Sequence, residues 1–209
     1  FKAKISFEFL DGMFKIYIQK LSLDQTIINF KNKMNIRIQE FILEYHDENG
    51  ENEENIALIQ GDELVITYSD LFQQIEDFSR LFNSKHLIFI IGENDVASVI
   101  AYLSSIEFGV VPLLLGSKTN QGQIDNLINI YKPKYIFQKI DLNVHNNYSF
   151  SSRFKGYSFF LRDVLEEIEL HPDLALLLTT SGSTGSPKLV RLTKKNLTSN
   201  AISISKYLN

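Results

Sequence analysis

The chain opens on an alternation of apolar with polar or charged residues. Phe1, Ala3, Ile5, Phe7 and Phe9 are separated by Lys2, Lys4, Ser6 and Glu8, and Phe14, Ile16 and Ile18 resume the period beyond Asp11-Gly12. Side chains on a strand alternate between faces, and Asp-Gly supplies the positive φ angles of a tight turn, so residues 1–20 read as a β-hairpin. Residues 21–33 favour neither period. From 35 the spacing lengthens. Ile38, Phe41, Ile42 and Tyr45 recur at spacings of three, one and three and predict an amphipathic helix over 35–46. The acidic run D-E-N-G-E-N-E-E-N at 47–55 fails as a calcium loop. Counted from Asp47, Gly50 falls fourth and Leu58 twelfth, where the EF-hand needs Gly sixth and Glu twelfth, so a solvated loop is the better reading.

Two strands follow over 56–68 around Gly61-Asp62. Ser69 is placed to cap a helix, with Asp70 in its first turn and Leu71, Ile75, Phe78 and Phe82 as its apolar stripe. Residues 87–91 form a short, wholly apolar strand. The turn 92–95 leads to a helix with Val96, Val99, Leu103 and Ile106 on one face and Gly109 at its end. A strand over 110–115 contains Pro112, which predicts a sheet edge or a bulge. Ile124, Leu127, Ile128 and Tyr131 mark a helix closed by Pro133, and 135–137 is strand again. The stretch 141–156 has no clear period, and 159–168 reads as a short strand followed by helix. Residues 174–178 and 189–192 are strands, after which Thr193 caps a helix carrying Leu197, Ala201, Ile204 and Leu208 on one face. Short apolar strands alternating with helices predict an α/β fold. Its sheet should be mostly parallel, with helices on both faces and right-handed crossovers.

Composition narrows the function without naming it. The 209 residues carry a net charge of −4, which argues against a general nucleic-acid binder with its basic stripe. The absence of Cys rules out disulfides and thiolate metal sites and fits a reducing, cytoplasmic setting. No apolar run is long enough to span a bilayer, so no membrane span is expected. His46, His86, His145 and His171 lack metal-ligand spacing and suit structural or surface roles. The chain begins on Phe1 rather than Met, which suggests that it starts inside a longer one.

The chemistry is concentrated between the last two strands. There the sequence reads T-T-S-G-S-T-G-S-P-K, 179–188. Gly182 and Gly185 allow positive φ and close backbone approach to a ligand, and consecutive N–H groups in such turns form a concavity that holds anions. Thr180, Ser181, Ser183 and Thr184 add hydroxyl donors, Lys188 adds a compact positive charge, and no Asp or Glu occurs from 179 to 195. Neutral donors, one cation and no carboxylate suit phosphate oxygens. Two familiar phosphate loops fail. A Walker A loop counted from Gly182 would need Gly at 187, which is Pro, and the dinucleotide fingerprint would need Gly at 184 and 187 and a helix directly after.

The pattern that does fit is [ST]-S-G-[ST]-T-G-x-P-K-G-V. The chain has T-S-G-S-T-G-S-P-K-L-V at 180–190 and thereby resembles the adenylate-forming ligases: acyl-CoA synthetases, luciferase-like enzymes and peptide synthetase adenylation domains. At ~7% per residue, the specified positions would match one window by chance on the order of once in 10⁸. L-V-I-T-Y-S-D-L at 64–71, the segment 91–113 and H-P-D-L-A-L-L-L-T-T-S-G at 171–182 resemble the family's flanking segments. The resemblance covers 33–209 and leaves 1–32 unassigned. Leu189 stands where the family usually has Gly, and Lys194 where it often has His.

The resemblance implies ATP and Mg²⁺ as cofactors, a carboxylic acid as substrate, and coenzyme A or a carrier-protein pantetheine as acyl acceptor. It implies that Ser181, Gly182, Ser183, Thr184 and Gly185 hold the β- and γ-phosphates, with Thr180 and Lys188 at the margins. The family's adenine pocket, Mg²⁺-binding Glu, ribose-binding Asp and C-terminal catalytic Lys would all follow Asn209. The expectation is therefore the first part of a larger ligase, incompetent alone, with no catalytic residue and no metal ligand inside this segment. Two other readings stay open. One is a non-catalytic nucleotide-binding or interaction module that has lost the chemistry, and the other is a plain α/β domain with a Ser-rich turn.

Overall fold

The computed structural model describes residues 4–10, 13–19, 56–60, 64–140, 145–164, 168–179 and 189–208. The helix expected at 35–46 and the loop expected at 47–55 lie outside them. The predicted hairpin is present as β1 (Lys4–Leu10) and β2 (Met13–Gln19). The two strands pair antiparallel with Leu10 opposite Met13, and the register sets Ile5, Phe7 and Phe9 opposite Ile18, Ile16 and Phe14. A second ribbon joins β3 (Ile56–Gln60) to β4 (Leu64–Thr67), and its turn falls outside the described residues.

The main sheet has seven strands in the order β11-β10-β6-β5-β7-β9-β8. They are β5 (Leu87–Gly92), β6 (Val111–Gly116), β7 (Tyr135–Lys139), β8 (Tyr148–Phe154), β9 (Tyr157–Arg162), β10 (Leu174–Thr179) and β11 (Leu189–Thr193). The four central strands, β10, β6, β5 and β7, run parallel, and antiparallel strands flank them on both sides. All six residues of β5 are buried, as a strand covered on both faces requires. Its pleat divides them. Ile88 and Ile90 join the core beneath helices α1 (Tyr68–Ser79) and α2 (Val96–Phe108), whereas Leu87, Phe89 and Ile91 join the core beneath α3 (Gln121–Tyr131). The chain steps from β5 to β6 through α2 on one face. It then steps back past β5 to β7 through α3 on the other, as crossovers of one hand demand. The last helix is α4 (Lys194–Leu208).

Local chemistry explains most boundaries. Asp95 caps α2 by accepting the Ser98 N–H at 2.9 Å, and Gly109 ends that helix at φ 70°. Thr193 caps α4 as expected, accepting the Asn196 N–H at 3.2 Å while the Asn196 side chain takes the Thr193 N–H at 3.0 Å. The cap of α1 is corrected by two residues. Thr67, not Ser69, accepts the Asp70 N–H at 3.1 Å, and Asp70 returns the bond to Thr67 N at 3.3 Å, closing a capping box. Replacing Thr67 with Ala is expected to cost about 1 kcal/mol. In urea this would appear as a lower midpoint with an unchanged slope.

Three further expectations change. Pro112 sits in an interior strand, between β10 and β5. Val111 donates its N–H to His86 on the β5 side at 2.8 Å, so the nitrogen of Pro112 faces β10, where pairing begins only at Leu113. The missing donor breaks no ladder bond. Helix α2 is buried on nearly every side rather than along one stripe, because α1 covers the surface that the sheet does not. The later part of the stretch without period forms strand β8, which pairs antiparallel with β9, the strand expected from 159; residues 165–167 of the helix expected after it lie outside the described residues. The β8–β9 turn holds Lys155 at φ 45° and Gly156 at φ 81°, the pair of positive angles that matches the twist of a two-residue hairpin.

Candidate functional site

In parallel strands all carboxyl ends lie on one edge, so β5, β6, β7 and β10 deliver their following turns to the same side of the sheet. At β5 and β6 the chain departs to opposite faces, and ligands of open α/β sheets bind at the carboxyl edge where the strand order reverses, here beside β5. Strand β10 borders β6 there. It pairs antiparallel with β11, and Thr179 opposite Leu189 is the last described pair before the segment 180–188. That segment therefore joins strand to strand, as the sequence predicts. Thr180, Ser181, Gly182, Ser183, Thr184, Gly185 and Lys188 lie outside the described residues. The structure establishes the two strands that carry them and the edge on which they emerge.

Both flanks of the segment are anchored. Leu177 is buried in the α3-side core, and Leu178 packs against the opposite one. Leu189, in the position where Gly is usual, is half-buried against the α3-side core together with Leu174. The larger side chain thus has a packing role at the start of β11. Lys194 is the exposed first residue of α4.

The turns beside β10 form a polar network that the sequence alone did not reveal. Glu93, after β5, accepts a hydrogen bond from Ser117, after β6, at 3.0 Å and pairs with Lys139, the last residue of β7, at 2.6 Å. The Lys139 and Ser117 hydrogen bonds hold the Glu93 carboxyl below its usual range. Ser117 N also donates to the Gly92 carbonyl at 2.8 Å. One turn further, the buried Tyr157 of β9 donates to Asp95 at 2.7 Å and accepts the Glu93 N–H at 3.1 Å and the Ser98 hydroxyl at 3.3 Å. Burial pushes the Tyr157 hydroxyl far up, so it stays protonated and remains a donor to Asp95. Gly92 leaves room here, since a Cβ would displace the Ser98 hydroxyl and crowd the Tyr157 ring. Glu93 and Asp95, the carboxylates that the described residues show in these turns, are thus both engaged by donors.

The described histidines serve locally, and His46 lies outside the described residues. His145 is buried between Gln138, at 2.8 Å, and Asp125, at 3.3 Å, and His171 accepts the Asp173 N–H. Among the described residues no three His, Asp or Glu side chains stand together as a metal site, and no helix is long and apolar enough to cross a membrane.

Comparison with known proteins agrees with the motif. The family described as "AMP-binding enzyme" matches residues 46–209. No individual curated protein matches the chain. Among solved structures, o-succinylbenzoate CoA synthetase (MenE) of Bacillus subtilis, in complex with the acyl-adenylate intermediate OSB-AMP, is 22% identical with a TM-score of 0.58. The alignment covers 75% of this chain and 43% of that one. Apo MatB of Rhodopseudomonas palustris is 18% identical with a TM-score of 0.57, over 74% of this chain and 35% of its own. The N-terminal subdomain of Klebsiella oxytoca NpsA, in complex with 3-hydroxybenzoyl-AMSN, is 20% identical with a TM-score of 0.52, over 76% and 41%. At these identities the likeness is one of fold, and the chain spans between about a third and two fifths of each neighbour's length.

Proposed function

The chain belongs to the family of AMP-binding enzymes, and from that premise we propose that it is the N-terminal part of an ATP-dependent carboxylic acid ligase. The observation that carries this is the carboxylate-free segment T-S-G-S-T-G-S-P-K, set between β10 and β11 on the carboxyl edge of a parallel sheet. In the reaction a carboxylate oxygen attacks the α-phosphorus of ATP, the bond to the bridging oxygen of the β-phosphate breaks, and pyrophosphate leaves with its electron pair. An acyl-adenylate remains, and a thiol of coenzyme A or a carrier-protein pantetheine then takes the acyl group and releases AMP.

Within this scheme the chain's own contribution is electrostatic. Negative charge grows on the departing β- and γ-phosphates, and donors already fixed around them lower the barrier. Backbone N–H groups at Gly182 and Gly185, the hydroxyls of Ser181, Ser183 and Thr184, and the ammonium of Lys188 supply those donors, with Thr180 at the entrance. Mg²⁺ would accompany ATP, with its protein ligand, a Glu, expected beyond Asn209. Loop and sheet edge alone bind only the phosphate end of the nucleotide, so the isolated segment is proposed to be inactive. The assignment carries with it a cytoplasmic location, where ATP and thiol acceptors are present.

The test is exchange of labelled pyrophosphate into ATP by the full-length protein over a broad panel of fatty, aryl and amino acids. Acid-dependent exchange supports the ligase. Exchange with no acid on the panel would overturn the reading in favour of a non-catalytic module.

A further inference from the structure

The two edges of the main sheet are finished differently. At one edge, β8 carries a bulge of its own between Phe150 and Ser152, and Arg153 and Lys155 stand exposed at its turn. A bulge and cations on an edge strand keep it from pairing with a further strand. At the other edge stands β11, L-V-R-L-T. It pairs with β10 without interruption from Leu189 to Leu192, and the irregularity beyond falls between Leu174 and Leu176, on β10. Alternate residues of β11 therefore turn both N–H and C=O away from the sheet, and among the described residues no strand lies on that side.

The side chains of β11 are as incompletely covered as its backbone. Val190, opposite Leu178 on the face of α1 and α2, is 42% exposed although α4 packs on this strand. On the other face Leu189, Leu174 and Leu170 are only half-buried. Among the described helices only α3 packs there, and it covers the sheet nearer β5 and β6. One strand inward, Leu176 and Leu177 of β10 are fully covered. Arg191 is the one charged residue of β11 and is exposed on the same face as Leu189.

The course of the chain indicates what would cover this edge. Helix α4 starts at the end of β11 and packs back on β11 and β10, so the described chain finishes beside this strand. The solved neighbours that share the fold extend well past it, since the alignments span 35–43% of their lengths. We propose that β11 is an interior strand of the whole protein: a strand from the part of the ligase beyond Asn209 pairs along its free edge, and apolar side chains of that part cover Val190, Leu189 and Leu174. This rests on the ligase reading given above, which supplies the further chain. The competing occupant is a second copy of the protein, meeting β11 edge to edge.

The experiment is hydrogen exchange of the full-length protein, read by mass spectrometry in peptides that span 189–193. Every amide of β11 is expected to exchange slowly, on the order of a hundredfold or more below the rate of an unstructured chain, and equally so after dilution. Exchange of the outward half of these amides at the unstructured rate would overturn the inference. Protection that fades on dilution would overturn it too, by assigning the edge to a second copy. Val190→Lys is expected to lower the melting temperature of the full-length protein by several degrees, and Phe150→Lys, at the opposite edge, to shift it far less; equal shifts would count against a covered β11. An open β11 edge in a protein that exchanges pyrophosphate would overturn this inference alone. A closed edge in a protein that exchanges none would overturn the ligase reading alone.

Discussion

Lys188→Ala in the full-length protein is expected to slow acid-dependent pyrophosphate exchange by about 10²–10³-fold, the usual cost of removing one donor aimed at developing charge. The reason lies in what surrounds that charge. From 179 to 195 the sequence offers hydroxyls, glycines and no carboxylate, and Lys188 is the cation that closes the 180–188 segment. Among the described residues, the carboxylates at the same edge, Glu93 and Asp95, are occupied by Ser117, Lys139, Tyr157 and the Ser98 N–H. The phosphates would therefore meet a field set chiefly by the loop's own donors and Lys188. Arg at 188 keeps the charge but spreads it over a broad fork, so Lys188→Arg is expected to recover only part of the rate. Lys85→Ala, an exposed lysine at the amino edge, should leave exchange unchanged. Steady-state exchange with saturating acid reads all three. A Lys188→Ala enzyme as fast as its parent would remove the loop from the reaction.

The largest effect on stability is expected at Phe78. It is fully buried where α1 meets the sheet, and its ring makes edge-to-face contacts with Phe82, Phe137, Phe154 and Phe159 at centroid distances of 5.7, 5.0, 5.1 and 5.8 Å. Those rings come from the chain following α1 and from β7, β8 and β9, so they cannot all close over the space a truncated side chain would leave. Phe78→Ala is expected to cost ~3–5 kcal/mol, a large share of the 5–15 kcal/mol that typically separates folded from unfolded domains. Phe150→Ala makes the contrast. Phe150 is 56% exposed on edge strand β8, and its loss should stay within about 0.5 kcal/mol. Chemical denaturation of the two variants beside the parent measures both. A Phe78→Ala protein as stable as Phe150→Ala would show that the aromatic cluster is not the centre of this core.

Where one physical signal dominated, the sequence was legible. The wholly apolar β5 announced a strand buried on both faces, Asp95 and Gly109 bracketed α2, and Thr193 opened α4. The strands that flank the candidate loop, β10 and β11, were legible because they are short and largely apolar on either side of a polar, Gly-containing stretch. Misreadings arose where tertiary context chose between local options. Thr67 and Ser69 are both acceptable caps, and only Asp70, three residues after Thr67, completes the reciprocal bond. Pro112 tolerates an interior strand because of the register of β10, a long-range fact. Hairpin β8–β9 was missed because a bulge between Phe150 and Ser152 interrupts the alternation, although Gly156 marked its turn. The Tyr157–Glu93–Ser117–Lys139 network was not legible at all. Its members come from four separate segments, and only the sheet order makes them neighbours.

The central claim is that a carboxylate oxygen attacks the α-phosphorus of ATP in a protein built on this chain. Carboxylic acids labelled with ¹⁸O in both oxygens, incubated with the full-length protein, ATP and a thiol acceptor, test it directly. The attacking oxygen becomes the bridge of the acyl-adenylate and stays on phosphorus when the thiol removes the acyl group. The account predicts AMP carrying one ¹⁸O and pyrophosphate carrying none. Label in inorganic phosphate with ADP as the nucleotide product, or AMP free of label, would contradict it.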